Sequence, residues 1–146
     1  MRSITTANTT PQPVSLEEVK DQLGFAQGDS YSDDRLNRLI VAATEQWEHD
    51  TQSVTTTRTV TEQIAEFPVP TWRLYYRPVQ TFTSIQYYDA DGALQTLATS
   101  VYSVDIPNRQ IHLAPDQDWP TIQARWDAIT IDYVAGVAVV PEIAKQ

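Results

Sequence analysis

The sequence contains no cysteine, only four glycines and one methionine, and no long hydrophobic run. Without cysteine, neither a disulfide framework nor a thiolate metal site is available, which fits a reducing compartment. No apolar run approaches the roughly 18 residues of a membrane span, and the N-terminus lacks the apolar stretch of a signal peptide. These absences predict a protein that is made in the cytoplasm and does not enter a membrane.

Basic residues are also few, because ten Lys and Arg stand against nineteen Asp and Glu, for a formal net charge of -9. The acids are concentrated at the N-terminal end, where residues 1–53 carry nine acids against four bases, while residues 54–114 carry five against four. A surface with this charge repels DNA phosphates and anionic lipids at long range. The composition therefore excludes a nucleic-acid clamp.

Two segments in the N-terminal third carry the signals of helices. Ser15 at the N-cap position and Glu18 three residues later form a capping box, which predicts a short helix over 16–23. The next helix is predicted over 33–51, where apolar residues follow helical spacing after Ser32 as its N-cap. The apolar residues of this second helix form one stripe, so it is amphipathic.

The rest of the chain is organised around strands. Residues 1–13 are rich in Thr, Asn and Pro and are predicted to be a flexible arm, with 14–146 as a single domain. The β-branched and aromatic residues of 54–134 predict six to eight mostly antiparallel strands, and Pro141 marks a short C-terminal helical segment in the tail, 137–146. The predicted class is α+β, with two N-terminal helices packed on an antiparallel β-rich body.

Chemistry-bearing residues are sparse and lack the partners that catalysis or metal binding requires. His49 and His112 stand outside any His-Glu-x-x-His motif, and we interpret both as structural. The run Asp89 to Gly92 starts like a calcium loop, but the twelfth position holds Ser instead of Glu, which favours a hairpin turn. A carboxylate pair for glycoside hydrolysis, Asp116 and Asp118, is weaker than its interpretation as a turn. We predict no enzyme, no metal and no cofactor.

The aromatic residues support an alternative function. Exposed Trp and Tyr on a sheet suit a protein interface or a carbohydrate platform, whereas buried ones belong to the core. A β-rich binding module for carbohydrate or protein would use some of Trp72, Tyr75, Tyr87, Tyr88 and Trp119. The sequence leaves this alternative open.

The order of several motifs along residues 13–146 resembles the small head-tail connector (adaptor, or head completion) proteins of tailed bacteriophages. The motifs are "PVSLEEVK", "DDRLNRLIVAA", "RPVQTFTSIQYYDADG" and "YVAGVAVVP", in the order and with the spacing found in that family. One departure is that relatives continue into an apolar C-terminal helix after the Val-Pro pair, where this sequence has five residues.

The resemblance implies a structural protein of the phage neck that forms a homo-oligomeric, dodecameric ring under the portal protein. DNA would pass through the channel of the ring without specific binding, and a tail-side neck or stopper protein would dock below. The expected locations are the head-tail interface of the virion and, during assembly, the host cytoplasm. The site residues expected on this basis are Val140, Pro141 and Ile143 for portal docking, Tyr88, Asp89, Asp91 and Gly92 for the tail-side partner, and Thr57, Val60, Trp72, Tyr75 and Tyr76 for subunit contacts.

Overall fold

A computed structural model describes residues 2–6, 13–26, 28 and 30–137. The described residues form two α-helices and eight β-strands, an α+β fold as predicted. In chain order the elements are β1 (Arg2–Thr6), α1 (Leu16–Leu23), α2 (Asp33–Thr51), β2 (Arg58–Ile64), β3 (Thr71–Arg73), β4 (Val79–Tyr88), β5 (Leu94–Thr96), β6 (Tyr102–Asp105), β7 (Gln110–Leu113) and β8 (Ile129–Ala135).

Both helices have the bounds that the sequence predicts, because local signals define their ends. Ser15 and Glu18 form the predicted capping box, in which the Glu18 amide donates to Ser15 Oγ at 3.1 Å and the Ser15 amide donates to Glu18 Oε2 at 2.8 Å. Gly24 ends α1 with φ of 75°, a left-handed conformation that glycine adopts without steric cost. Ser32 precedes α2 as predicted, but its side chain makes no capping hydrogen bond within the described chain.

The strands form two antiparallel sheets that enclose one core. The larger sheet has the order β1-β2-β8-β4-β5 and the smaller one the order β3-β7-β6. Alternate residues of β8 point into the core, which is the pattern of a strand with one buried face. They meet Trp72 of β3 and Ile111 of β7 from the smaller sheet in one hydrophobic cluster, whose β8 members are Ile129, Ile131, Tyr133 and Ala135.

The N-terminus differs from its prediction as a flexible arm. Residues 2–6 form β1, which pairs along its whole length with β2 at the edge of the larger sheet. An ion pair joins Arg2 Nε to Glu62 Oε2 at 3.4 Å, and Arg2 Nη2 donates to the carbonyl of Arg73 at 2.7 Å. A polar, Thr-rich strand at an edge buries little apolar surface, so the hydrophobic pattern gave no sign of it.

Among the described residues, side-chain hydrogen bonds attach the end of α2 to the β-rich body, and the predicted packing of both helices on that body is not confirmed. Helix α1 packs against α2, and an ion pair joins Lys20 to Asp33. The hydrophobic core cluster consists of strand and loop residues, without a member from either helix. The joint is Glu48 near the end of α2, whose Oε1 accepts hydrogen bonds from the amide and hydroxyl of Thr55 at 2.9 and 2.7 Å and from Arg58.

The predicted C-terminal helical segment lies outside the described residues, apart from Val137. The last strand ends at Ala135, and Gly136 follows with φ of 116°. A Cβ atom at Gly136 would lie 2.4 Å from the carbonyl oxygen of Thr56, so only glycine fits there. The chain therefore leaves the larger sheet directly beside residues 56 and 57.

Candidate interaction surfaces

The residues predicted for subunit contacts divide into buried and accessible ones. Val60 and Trp72 have no exposed surface and belong to the core, so their predicted role as contact residues is wrong. Their strands alternate inward and outward, and a run of β-branched or aromatic residues does not tell which set faces inward. Thr57 is exposed, and Tyr75 and Tyr76 are half-buried, with their rings edge to face at 4.9 Å.

A buried carboxylate organises the chain around these tyrosines. Glu62 on β2 has no exposed surface, and its Oε1 accepts hydrogen bonds from the Tyr133 hydroxyl at 2.6 Å and from the Tyr75 amide at 2.7 Å. The Tyr133 oxygen in turn accepts from the Tyr76 amide at 3.1 Å. Burial and the neighbouring carboxylate raise the pKa of Tyr133 above its usual value, so this hydroxyl stays a donor. Glu62 lies at the inward positions of β2, between Val60 and Ile64, so strand alternation places it inward only once Val60 is known to face the core.

The predicted tail-side hairpin is a pre-ordered turn between β4 and β5. Asp89 Oδ1 accepts from the amides of Asp91 and Ala93 at 3.0 and 2.9 Å, and Oδ2 accepts from Gln95 Nε2 at 2.9 Å. These hydrogen bonds, that of Gln95 foremost, lower the pKa of the Asp89 carboxyl. Gly92 has φ of 82°, which completes the turn. The Asp89 carboxylate is thus engaged within the turn, whereas the side chain of Asp91 is exposed on its surface.

Tyr88 at the base of this hairpin is covered by the chain itself. The guanidinium of Arg125 lies 3.8 Å from the centre of the Tyr88 ring. Arg125 is held in place by Asp127, whose Oδ2 accepts from Arg125 Nη2 at 2.8 Å. Because the cation occupies one face of the ring, Tyr88 offers a partner only part of its surface.

The aromatic residues of the carbohydrate alternative are largely engaged with each other. Trp119 stacks on Phe67 with ring centres 4.6 Å apart and planes 3° from parallel, and Tyr87 meets Phe67 edge to face at 6.4 Å. Trp72 is fully buried. A sugar platform needs an open ring face, and neither Trp72 nor the stacked face of Trp119 offers one.

The residues considered for catalysis or metal binding are not brought together. Asp116 and Asp118 are exposed in a turn, His112 Nδ1 lies 3.2 Å from Thr71 Oγ1, and His49 Nδ1 lies 3.2 Å from Asp50 Oδ1. Across the described ranges, no group of three or more His, Asp or Glu side chains is placed to hold a metal ion. Neither helix in the described ranges is long and apolar enough to cross a membrane.

An apolar groove between the two helices is a feature that the sequence did not predict. It has a volume of about 430 Å³ and lies between α1 and the apolar stripe of α2. Leu23, Leu39 and Trp47 along it are 59, 56 and 42% exposed. The helical spacing correctly identified the stripe, but the stripe was expected to be covered by the β-rich body. An open apolar surface of this kind is typical of a protein-binding site.

Comparison with known proteins bears on the fold. No protein-family model matches the chain, and no curated protein matches it. A chain of the neck of an empty GTA particle, computed with C6 symmetry, aligns with a TM-score of 0.78 and 21% identity over 98% of this chain and 78% of its own length. A chain of the virion of a native gene transfer agent (GTA) particle aligns with a TM-score of 0.75 and 22% identity over 97 and 78% of the two chains.

A third structure, the neck of a native GTA particle computed with C12 symmetry, contains a chain that aligns with a TM-score of 0.62 and 19% identity, over 92% of this chain and 71% of that one. Identities near 20% establish a shared fold. The resemblance to neck proteins that the motifs predicted is confirmed at this level, because the present chain has the fold of chains found in GTA necks.

Proposed function

We propose that this protein is a structural, non-enzymatic component of a phage neck, where it joins the DNA-filled head to the tail. The observation that carries the proposal is the fold, which aligns over nearly the whole chain with a chain of a GTA neck. Neighbours with C6 and C12 symmetry support a homo-oligomeric ring, for which we propose the dodecameric form. The ring sits under the portal protein in the virion and is assembled in the host cytoplasm.

Different surfaces of the chain serve different neighbours. Val140, Pro141 and Ile143 are proposed to dock on the portal, and they lie outside the described residues. The turn at 88–92 is proposed to meet the tail-side neck or stopper protein, since its backbone is already fixed by Asp89. Accessible residues among those predicted for subunit contacts are Thr57, Tyr75 and Tyr76. The apolar groove adds a further surface suited to protein contact.

DNA passes through the proposed channel without being held. A subunit of net charge -9 repels phosphates, so a ring of such subunits presents little electrostatic attraction to a moving duplex. The carbohydrate alternative loses support from the engaged aromatic rings described above. Neither proposal needs a cofactor or a membrane.

The test is the mass of the assembly, measured by native mass spectrometry and light scattering for the chain alone and with a portal protein. We expect a ring, alone or on the portal. An Ile143→Asp variant should lose the portal complex, whereas the matched Gln146→Asp variant, with the same charge change three residues away, should keep it. A chain that stays monomeric with portal at high concentration would refute the proposed function.

A further inference from the structure

The apolar groove between α1 and α2 is lined by uncharged side chains throughout its described part. Apart from Thr44 and Thr55, the lining residues are all apolar. The hydroxyls of these two threonines are already used, because Thr44 Oγ1 donates to the Ile40 carbonyl at 2.7 Å and Thr55 Oγ1 donates to Glu48 Oε1 at 2.7 Å. A groove with these walls favours an occupant with apolar side chains over a charged or strongly polar one.

One end of this groove lies beside the point where the chain leaves the larger sheet. Thr55 is part of the groove wall, and Gly136 approaches the residue that follows it, since a Cβ atom on Gly136 would lie 2.4 Å from the Thr56 carbonyl oxygen. Gly136 is held on both sides, because its amide donates to the Pro78 carbonyl at 2.9 Å and its carbonyl accepts from Gln80 Nε2 at 2.5 Å. The residues after Gly136 therefore start next to the groove.

The segment that starts there is apolar. Residues 137–144 read "VAVVPEIA", in which only Glu142 is charged. An apolar segment and an apolar groove each leave hydrocarbon in water, and packing one against the other removes both from it. Because the two belong to one chain, their contact is favoured by the high effective concentration of a short tether.

The segment is also long enough to follow the groove. The lining residues of α2 run from Trp47 back to Leu36, a length of about 16 Å at a rise of about 1.5 Å per residue. An extended chain advances about 3.3 Å per residue, so residues 138–143 reach about 20 Å. From a start beside Thr55, Ile143 can therefore reach the part of the groove that contains Leu39.

From the apolar walls, the exit point and this reach, we propose that residues 138–143 occupy the apolar groove of their own chain in the free subunit, with Ile143 near Leu39. The occupant is the chain's own segment rather than that of a second copy, because the segment starts beside this groove and needs no association to enter it.

The groove contact belongs to the free subunit and does not depend on the proposed ring. Its relation to assembly does rest on the proposed function, in which Val140, Pro141 and Ile143 dock on the portal. Since the same residues cannot occupy both places at once, the two contacts alternate. Docking on the portal withdraws the segment and uncovers the groove, which then becomes available to another protein of the neck.

Cross-linking of the free chain tests the contact, because the sequence has no cysteine of its own. Ile143→Cys is combined either with Leu39→Cys, in the groove, or with Arg38→Cys, which is exposed at the same level of α2 but outside the groove. After reaction with a short bis-maleimide at low protein concentration, mass spectrometry counts the single chains in which one linker joins both thiols. We expect their yield to be at least about 5-fold higher for the Leu39 pair than for the Arg38 pair.

The labelling rate of a single thiol tests the same contact without a linker. Leu39→Cys is labelled with a monofunctional maleimide in the unaltered chain and in Ile143→Asp and Gln146→Asp backgrounds. An aspartate is costly to bury in an apolar groove, so Ile143→Asp should release the segment and raise the rate by about 3-fold or more. Gln146→Asp makes the same charge change outside the segment and should leave the rate unchanged. The rate of Arg38→Cys should be the same in all three backgrounds.

The outcomes separate the groove contact from the proposed function. Equal yields for the Leu39 and Arg38 pairs, or a Leu39→Cys rate that Ile143→Asp does not raise, would overturn the contact and leave the ring and the portal docking standing. Links found only between chains, with a yield that rises with protein concentration, would show that a second copy fills the groove, and the inference would be wrong. A chain that gives the intramolecular link but never assembles with portal would refute the proposed function alone.

Discussion

At the scale of single residues, Tyr133 is one of the groups that stabilise the buried Glu62, together with Arg2 and the Tyr75 amide. Its hydroxyl donates to the carboxylate and accepts from the Tyr76 amide. Tyr133→Phe removes both hydrogen bonds without changing the ring, so we expect the free energy of unfolding to fall by about 1–3 kcal/mol. Urea denaturation measures the change. Tyr102→Phe is the matched control, because Tyr102 is also buried, and its loss should stay within about 0.5 kcal/mol.

A loss in Tyr102→Phe as large as that in Tyr133→Phe would contradict this account, because it would show that any buried tyrosine hydroxyl has the same effect.

A positive-φ glycine gives an independent test at the same scale. Gly136→Ala puts a methyl group 2.4 Å from the Thr56 carbonyl oxygen, at a φ that alanine rarely adopts. We expect a loss of about 1–3 kcal/mol in the same measurement.

Gly28 supplies the control for that substitution. A Cβ atom there meets nothing within 4 Å, and its φ is not in the left-handed range. Gly28→Ala should therefore leave stability unchanged or raise it by about 0.4–1 kcal/mol through the unfolded chain. Equal losses at both positions would mean that the close approach of Gly136 to Thr56 does not constrain the fold.

At the scale of elements, the β4–β5 hairpin depends on one ionised side chain. The pKa of Asp89 is lowered in the folded turn, so its stabilisation is present above the unfolded value of about 3.9 and is lost as the pH falls through the folded value. The protection factors of the Asp91 and Ala93 amides, which correct for the intrinsic exchange rate at each pH, should fall only in that acidic range. Asp89→Asn should remove the transition, and a transition unchanged in that variant would rule out Asp89 as its cause.

The elements also show which information is local in this sequence. Helices α1 and α2 were predictable residue by residue, because caps and spacing act within one or two turns. For the strands, their presence and their mostly antiparallel type were predictable, but their order was not. Strand β1 was not predictable, because it is held by backbone pairing with β2 and by an ion pair between Arg2 and Glu62, sixty residues away in the sequence. The burial of Val60 and Trp72 likewise depends on strand pairing that no local pattern specifies.

The same distinction applies to the sites. The turn at Asp89 was recognisable from "YDADG", since its hydrogen bonds are made within seven residues. The arginine pocket, which is lined by Arg73, Arg77 and Arg109, was not recognisable, because these residues come together only when the β6–β7 turn reaches the end of α2. The apolar groove was not recognisable either, because its exposure depends on how the β-rich body leaves the helices uncovered, which is a property of the whole fold.

At the scale of the whole molecule, the chain consists of a helical hairpin and a β-rich body that meet around Glu48. The apolar groove and the arginine pocket lie on either side of that joint, with Thr55 lining the groove and Ser53 lining the pocket. Any movement of the helices against the body would therefore alter both surfaces together.

The joint itself gives the last prediction. Glu48→Ala removes the acceptor of the Thr55 hydrogen bonds and leaves Arg58 half-buried without its partner. We expect the loss to be about 3 kcal/mol, as for other broken buried ion pairs. In Glu48→Ala, hydrogen exchange should then show α1 and α2 opening at a lower free energy than β2 and β8. In the unaltered chain, the opening free energies of the helices and of the strands should lie closer together.

Glu45→Ala, exposed on the preceding turn of α2, should change neither the stability nor these opening free energies. If α2 and β8 lose protection equally in Glu48→Ala, the helices and the body form one cooperative unit, and the two surfaces are not linked through this joint.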